Sequence, residues 1–154
     1  MQLNRTSQID MLVNEIYEEF RLFLAQGQGF APVLFMHRFE EDNEPTLLDM
    51  TTLESEDQEE WPGIIEDLVE QTDAALWALA TQVVLRRTSR RTHQQSEELL
   101  FVYVVADAHH PEGARIWATP FSKNGEEPAP FLERTDDPNL QLMVSQLTRR
   151  RFLH

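Results

Sequence analysis

Asp107, His109 and His110 come nearest, in type and spacing, to a reactive constellation in this chain. On a strand, residues i and i+2 share a face, so a carboxylate at 107 and an imidazole at 109 would point toward one metal ion or one substrate. Two ligands do not make a site. The third candidate is His37, at the end of another expected strand, and the catalytic reading is therefore a metal-dependent hydrolase built on Asp107, His109, His110 and His37. The plainer reading takes His109-His110-Pro111-Glu112-Gly113 as a solvent-exposed hairpin loop and His37 as an ordinary strand residue. His93 falls in a polar connection, and His154 is the terminal residue.

Other chemistries are excluded more sharply. The chain has no cysteine, which removes disulfides, thiolate zinc sites, iron–sulfur clusters held by thiolates and thiol nucleophiles. Gly27-Gln28-Gly29 opens like a dinucleotide fingerprint, but Pro32 stands where the third glycine belongs and the pair precedes a strand where it should follow one. No phosphate-binding loop, nucleophile elbow, H-E-x-x-H pair or EF-hand loop is present. No cofactor and no metal are called for.

Charge points toward partners. The 154 residues carry 27 Asp+Glu against 13 Lys+Arg, a formal charge of −14. Residues 1–76 hold 18 acidic and 3 basic side chains, whereas residues 77–154 hold 9 and 10. An N-terminal half almost devoid of Lys and Arg cannot neutralise phosphates, which argues against nucleic-acid binding. The basic side chains cluster instead as Arg86, Arg87, Arg90 and Arg91 and as Arg149, Arg150 and Arg151. Together with Trp77, Trp117 and Phe152 they could stack on and neutralise a phosphate-bearing strand, but the whole-chain charge opposes it. Pairing with the acidic half, within a monomer or across a symmetric dimer, is the expected use of these arginines. The acidic run Glu54-Ser55-Glu56-Asp57-Gln58-Glu59-Glu60 reads as a solvated loop and helix start, and Asp49 as a solvent-facing position of a half-exposed hairpin.

These residues must be positioned by elements of both kinds. Ile9, Leu12, Val13, Ile16, Tyr17, Phe20, Phe23 and Leu24 follow helical spacing, with Ser7 and Asp10 as a cap and Gly27 and Gly29 as a stop. Residues 31–39 and 46–51 read as a hairpin, and Trp61-Pro62 opens a helix whose stripe runs through Ile64, Ile65, Leu68 and Val69. Residues 73–87 are alanine-rich enough to prolong that helix, but Val83-Val84-Leu85 favours a buried strand. Residues 86–98 contain no apolar side chain and read as an exposed connection. Residues 99–108 are apolar on both alternating sets, the pattern of a central strand covered on both faces, and 114–121 pairs with them as a hairpin. Residues 124–138 read as a loop, with EEPAP (126–130) barring a strand there, and a last helix starts near Asn139.

The expected fold is therefore one α+β domain over 1–154, in the order α-β-β-α-β-β-β-α, with an antiparallel sheet of about five strands and helices packed on it. This element order looks like the roadblock, longin and profilin-type scaffolds, which mostly serve as interaction modules. Across roughly residues 10–125, the helix, the strand F-A-P-V-L-F, the helix at 61–73 and the strands A-A-L-W-A-L-A-T-Q-V-V-L and E-E-L-L-F-V-Y-V-V-A are similar to a group of uncharacterised small bacterial and phage proteins. In that group the third strand typically ends Ser-Glu-Ala-Trp, where this chain has Thr81-Gln82-Val83-Val84. The resemblance implies a strand over 75–87 and carries no assigned activity.

With no apolar leader at the N-terminus and no window of ~18 apolar residues, a cytoplasmic protein without a membrane partner is expected. Its expected role is a non-catalytic protein-protein interaction module, self-associating as a homodimer. The alternative is an acidic nucleic-acid mimic in which the carboxylates of residues 40–73 form one continuous band for a basic partner.

Overall fold

The computed structural model describes residues 5–30, 32–38, 46–49, 61–108, 113–122, 124 and 126–148. The elements are α1 (Arg5–Ala25), β1 (Val33–His37), β2 (Thr46–Asp49), α2 (Trp61–Thr72), β3 (Leu76–Thr88), β4 (Gln95–Asp107), β5 (Arg115–Pro120), β6 (Leu132–Glu133) and α3 (Pro138–Thr148). All neighbouring strands are antiparallel, in the order β2-β1-β3-β4-β5-β6. The fold is α+β, as the hydrophobic patterning implies.

Two cores lie on opposite faces of the sheet because β4 is apolar at every position from Leu99 to Ala106. Leu100, Val102, Val104 and Ala106 face the layer made by α2 and α3, where they meet Ile65, Val69, Leu140 and Val144. Phe101, Tyr103 and Val105 face α1 and its stripe Ile9, Val13, Ile16, Phe20 and Leu24. Phe20 anchors that side: its ring stacks on Phe101 at 4.0 Å between centroids and 2° between planes, with Phe121 edge-on at 5.2 Å. Ile116 and Ala118 fall on one side of β5 and Trp117 on the other, the division their alternation dictates.

The ends of the helices follow their local chemistry. Gly27, with φ at 72°, closes α1: Gln28 N–H donates to Phe23 O at 2.9 Å and Gly27 N–H to Leu24 O at 3.0 Å, a Schellman pair that needs the left-handed conformation glycine adopts freely. Asp73 does the same for α2 at φ 54°, with Ala74 N–H donating to Val69 O. Asp137 caps α3 by accepting from Asn139 N–H at 2.9 Å and Leu140 N–H at 3.4 Å. Burial opposes ionisation of Asp137, but the Arg134 hydrogen bond and these two N–H groups outweigh it and hold the carboxyl below its ordinary range.

Four boundaries differ from the sequence expectation. Ser7 lies inside α1, which begins at Arg5, so it is not the cap. The sheet has six strands rather than about five, because Leu132 and Glu133 pair with Ala118 and Trp117 just beyond the prolines of 126–130. The loop expected over 124–138 is accordingly interrupted by β6. Residues 86–98 are mostly strand, β3 running to Thr88 and β4 starting at Gln95, and only the turn between them is irregular. These stretches lack apolar residues, so hydrophobic periodicity could not announce a pairing that is made by backbone hydrogen bonds.

Candidate interaction surface

The long hairpin outruns its neighbours. β1 accompanies β3 only as far as Val33↔Ala80, and β5 accompanies β4 only as far as Leu100↔Pro120, whereas β3 and β4 stay paired to Thr88↔Gln95. Five rungs, from Val84↔Leu99 to Thr88↔Gln95, therefore stand beyond the sheet as a two-stranded ribbon. Its tip is an ordered turn: Ser89 N–H donates to Gln94 O at 2.8 Å, His93 N–H to Ser89 O at 2.9 Å and Thr92 N–H to Ser89 Oγ at 3.4 Å. His93 takes the left-handed position at φ 57°, where glycine is the usual occupant.

The ribbon brings together the arginines of 86–91. Arg86 pairs with Glu97 across one rung at 3.2 Å, both side chains being largely exposed, and Arg90 and Arg91 are exposed at the tip. Arg87 lies opposite Ser96. On the face shared with α1, Val84 is 45% exposed and Leu99 is half-buried. The opposite face is better covered, since Val83 and Leu85 pack against the core under α2 and α3, and Arg134 reaches Glu98 at 3.7 Å.

Exposed acids line the helical layers: Glu15, Glu18 and Glu19 on α1 and Glu66, Asp67 and Glu70 on α2. A shallow cleft of about 310 Å³ at the C-terminal end of α1 is lined by Glu18, Arg21, Leu22, Glu126 and Glu127. Arg21 closes its floor by pairing with Glu18 at 3.0 Å and with Glu127, while Tyr17 donates to Ala129 O at 2.8 Å. These contacts tie the 126–131 segment to α1 and are explained by that structural work.

The other residues singled out by sequence separate in space. His37 is buried on the α1 side, at 6.1 Å between ring centroids from Phe35, and burial depresses its pKa to about 4. Asp107 is exposed at the end of β4. Both lie in one row with Leu76 between them, two strand spacings or about 10 Å apart. His109 and His110 lie outside the described residues, as do residues 54–60 and Arg149, Arg150 and Arg151. Among the described residues no group of three His, Asp or Glu side chains is placed to hold a metal ion.

Trp117 is corrected from a surface residue to a core one. It is only 6% exposed, under the Arg115 guanidinium at 4.6 Å from the ring centroid. Arg115 is held there by Glu133 through two hydrogen bonds of 2.6 and 3.2 Å. The Arg115 bond first, then one from Thr135, keeps the Glu133 carboxyl below its usual range. Tyr103 is pushed above its ordinary value by burial, then by Glu15 and Glu19 on α1.

Sequence reasoning missed the ribbon, although one signal was there. Thirteen consecutive residues of β3 match thirteen of β4 about a turn at 89–94, a symmetry visible once strand formers at 81–85 are paired with 98–102. Among the described residues no helix is long and apolar enough to cross a membrane. A scan against protein-family models and searches of curated proteins and of solved structures found no match to the chain.

Proposed function

We propose that this protein is a non-catalytic, self-associating interaction module whose contact element is the β3–β4 ribbon. One observation carries the reading: the chain extends an ordered ribbon five rungs past its own sheet and places arginines on it, in a protein whose formal charge is −14. A two-stranded ribbon in water is marginal, and Val84 on its α1-side face stays 45% exposed, so a partner surface gives it a use. The body supplies a complementary surface in the exposed carboxylates of α1 and α2. Electrostatic contacts of this kind set association rate and register more than affinity.

The alternative, a nucleic-acid mimic, rests on the carboxylates of residues 40–73, most of which lie outside the described residues; of those described, Glu66, Asp67 and Glu70 on α2 are exposed.

Light scattering over a protein concentration series tests the proposal. A dimer mass is expected at ~0.05 M salt, falling toward monomer near ~1 M, where the Debye length shrinks to ~3 Å. A monomer at every concentration and salt would refute self-association.

A further inference from the structure

We infer that the tip of the β3–β4 ribbon is a binding element for duplex DNA, entering the major groove and neutralising phosphates along its walls. This goes beyond the self-association reading and does not rest on it. The observation that carries it is a separation of charge along the β3–β4 pair. Residues 86–96 hold Arg86, Arg87, Arg90 and Arg91 and no Asp or Glu, in a chain of charge −14. Arg86 is matched by Glu97 across its rung, but Arg87 lies opposite Ser96, and Arg90 and Arg91 are exposed in the turn. Exposed Asp73 and Asp107 stand at the other end, where the Leu76↔Asp107 rung lies about 40 Å along the strands from Thr88↔Gln95. Charges are screened over ~8 Å at physiological salt, so that end does not cancel the field of the tip. Near the ribbon, Gly29 lies beside Gln82, and residues 22–29 leading to it carry no charge. Glu97 and Glu98, at the base of the ribbon, are paired with Arg86 and Arg134. Local charge, rather than the whole-chain total, decides what the tip attracts.

The dimensions of the ribbon select the duplex and its groove. Val83 and Leu85 pack against the core, so the free part begins at Arg86↔Glu97 and runs to Thr88↔Gln95, about 10 Å, before the turn at 89–94. The major groove of B-form DNA is about 12 Å wide and 8.5 Å deep and admits a two-stranded ribbon, so the tip reaches base edges as the body meets the rim. Duplex RNA is a poorer host, because side chains cannot read its deep, narrow major groove. Single strands are held by stacking on aromatic side chains, and residues 86–98 contain no Phe, Tyr or Trp. The four basic side chains are arginines, whose planar forks suit both phosphate oxygens and guanine edges. The turn is already closed by Ser89 N–H on Gln94 O at 2.8 Å, which limits the ordering that binding must impose.

Fluorescence anisotropy of a labelled DNA duplex titrated with the full chain tests the inference. With Arg87, Arg90 and Arg91 as three phosphate contacts, the association constant should fall about 40-fold between ~0.05 and ~0.2 M salt. Arg90→Gln combined with Arg91→Gln leaves one such contact, so binding at ~0.05 M salt should weaken and the fall should shrink to about fourfold, with circular dichroism unchanged. Duplex DNA should bind at least about tenfold more tightly than a single strand or an RNA duplex of equal length. No binding to the DNA duplex at ~100 μM protein in ~0.05 M salt would overturn the inference, as would an unchanged salt dependence in the double variant. Equal affinity for all three nucleic acids would overturn the groove, and displacement of the duplex by poly-glutamate at equal charge would overturn it in favour of an acidic protein partner. Duplex binding by a chain that stays monomeric in light scattering would support this inference and refute self-association alone.

Discussion

Lowering the pH should destabilise the protein through His37, and the size of the effect follows from where its imidazole sits. His37 is 5% exposed between Phe35 and the α1-side core, and burial lowers its pKa from 6.5 to about 4. A group depressed in the folded state is protonated first in the unfolded chain, so the stability it allows is fully present above pH 6.5 and is lost as pH falls toward 4. Between pH ~7.5 and pH ~5 the two pKa values give a loss of about 2 kcal/mol. Carboxylates act the other way over the same range, since their protonation relieves self-repulsion in a chain of charge −14. The informative quantity is therefore a difference of differences. Urea unfolding of wild type and His37→Leu at both pH values should show the variant losing about 2 kcal/mol less than wild type on acidification. Parallel losses in the two proteins, within ~0.5 kcal/mol, would refute the burial argument.

Other substitutions probe the elements separately. Phe20→Ala removes the ring stacked on Phe101 and should cost about 3–5 kcal/mol in denaturant unfolding. Asp137→Ala deletes the α3 cap and should cost about 1 kcal/mol, with hydrogen exchange faster at Asn139 and Leu140 than elsewhere in the body. Gly27→Ala places a Cβ at φ 72° and should cost about 1 kcal/mol by the same unfolding assay. Arg86→Ala removes an ion pair whose partners are 78% and 62% exposed, and the folding stability should shift by no more than ~0.5 kcal/mol.

The cores were legible in the sequence because burial there repeats with a structural period. The stripe from Ile9 to Leu24 gave α1, the doubly apolar run at 99–106 gave the central strand, and Trp61-Pro62 marked the start of α2. The alanine-rich segment at 73–87 was ambiguous in propensity, and pairing with both β1 and β4 decides it as strand. The site was less legible. Asp107 and His37 share a row only through register, and neither separation nor burial can be counted along a chain. Trp117 looked available because aromatic residues serve cores and surfaces alike, and its cover by Arg115 depends on Glu133 from a two-residue strand.

The ribbon belongs to neither kind of signal, and that has a functional consequence. From Arg86 to Gln95 its strands contribute nothing to either core, so side chains there are not constrained by packing. What holds the pairing is the backbone ladder and a turn closed by Ser89 and Thr92. Under the proposed self-association, stability and contact would thus be carried by different residues, and exposed side chains of the ribbon can be varied with little effect on folding. A surface arranged in this way can change partner affinity or register without endangering the fold, whereas a contact built on Phe20 or Trp117 could not.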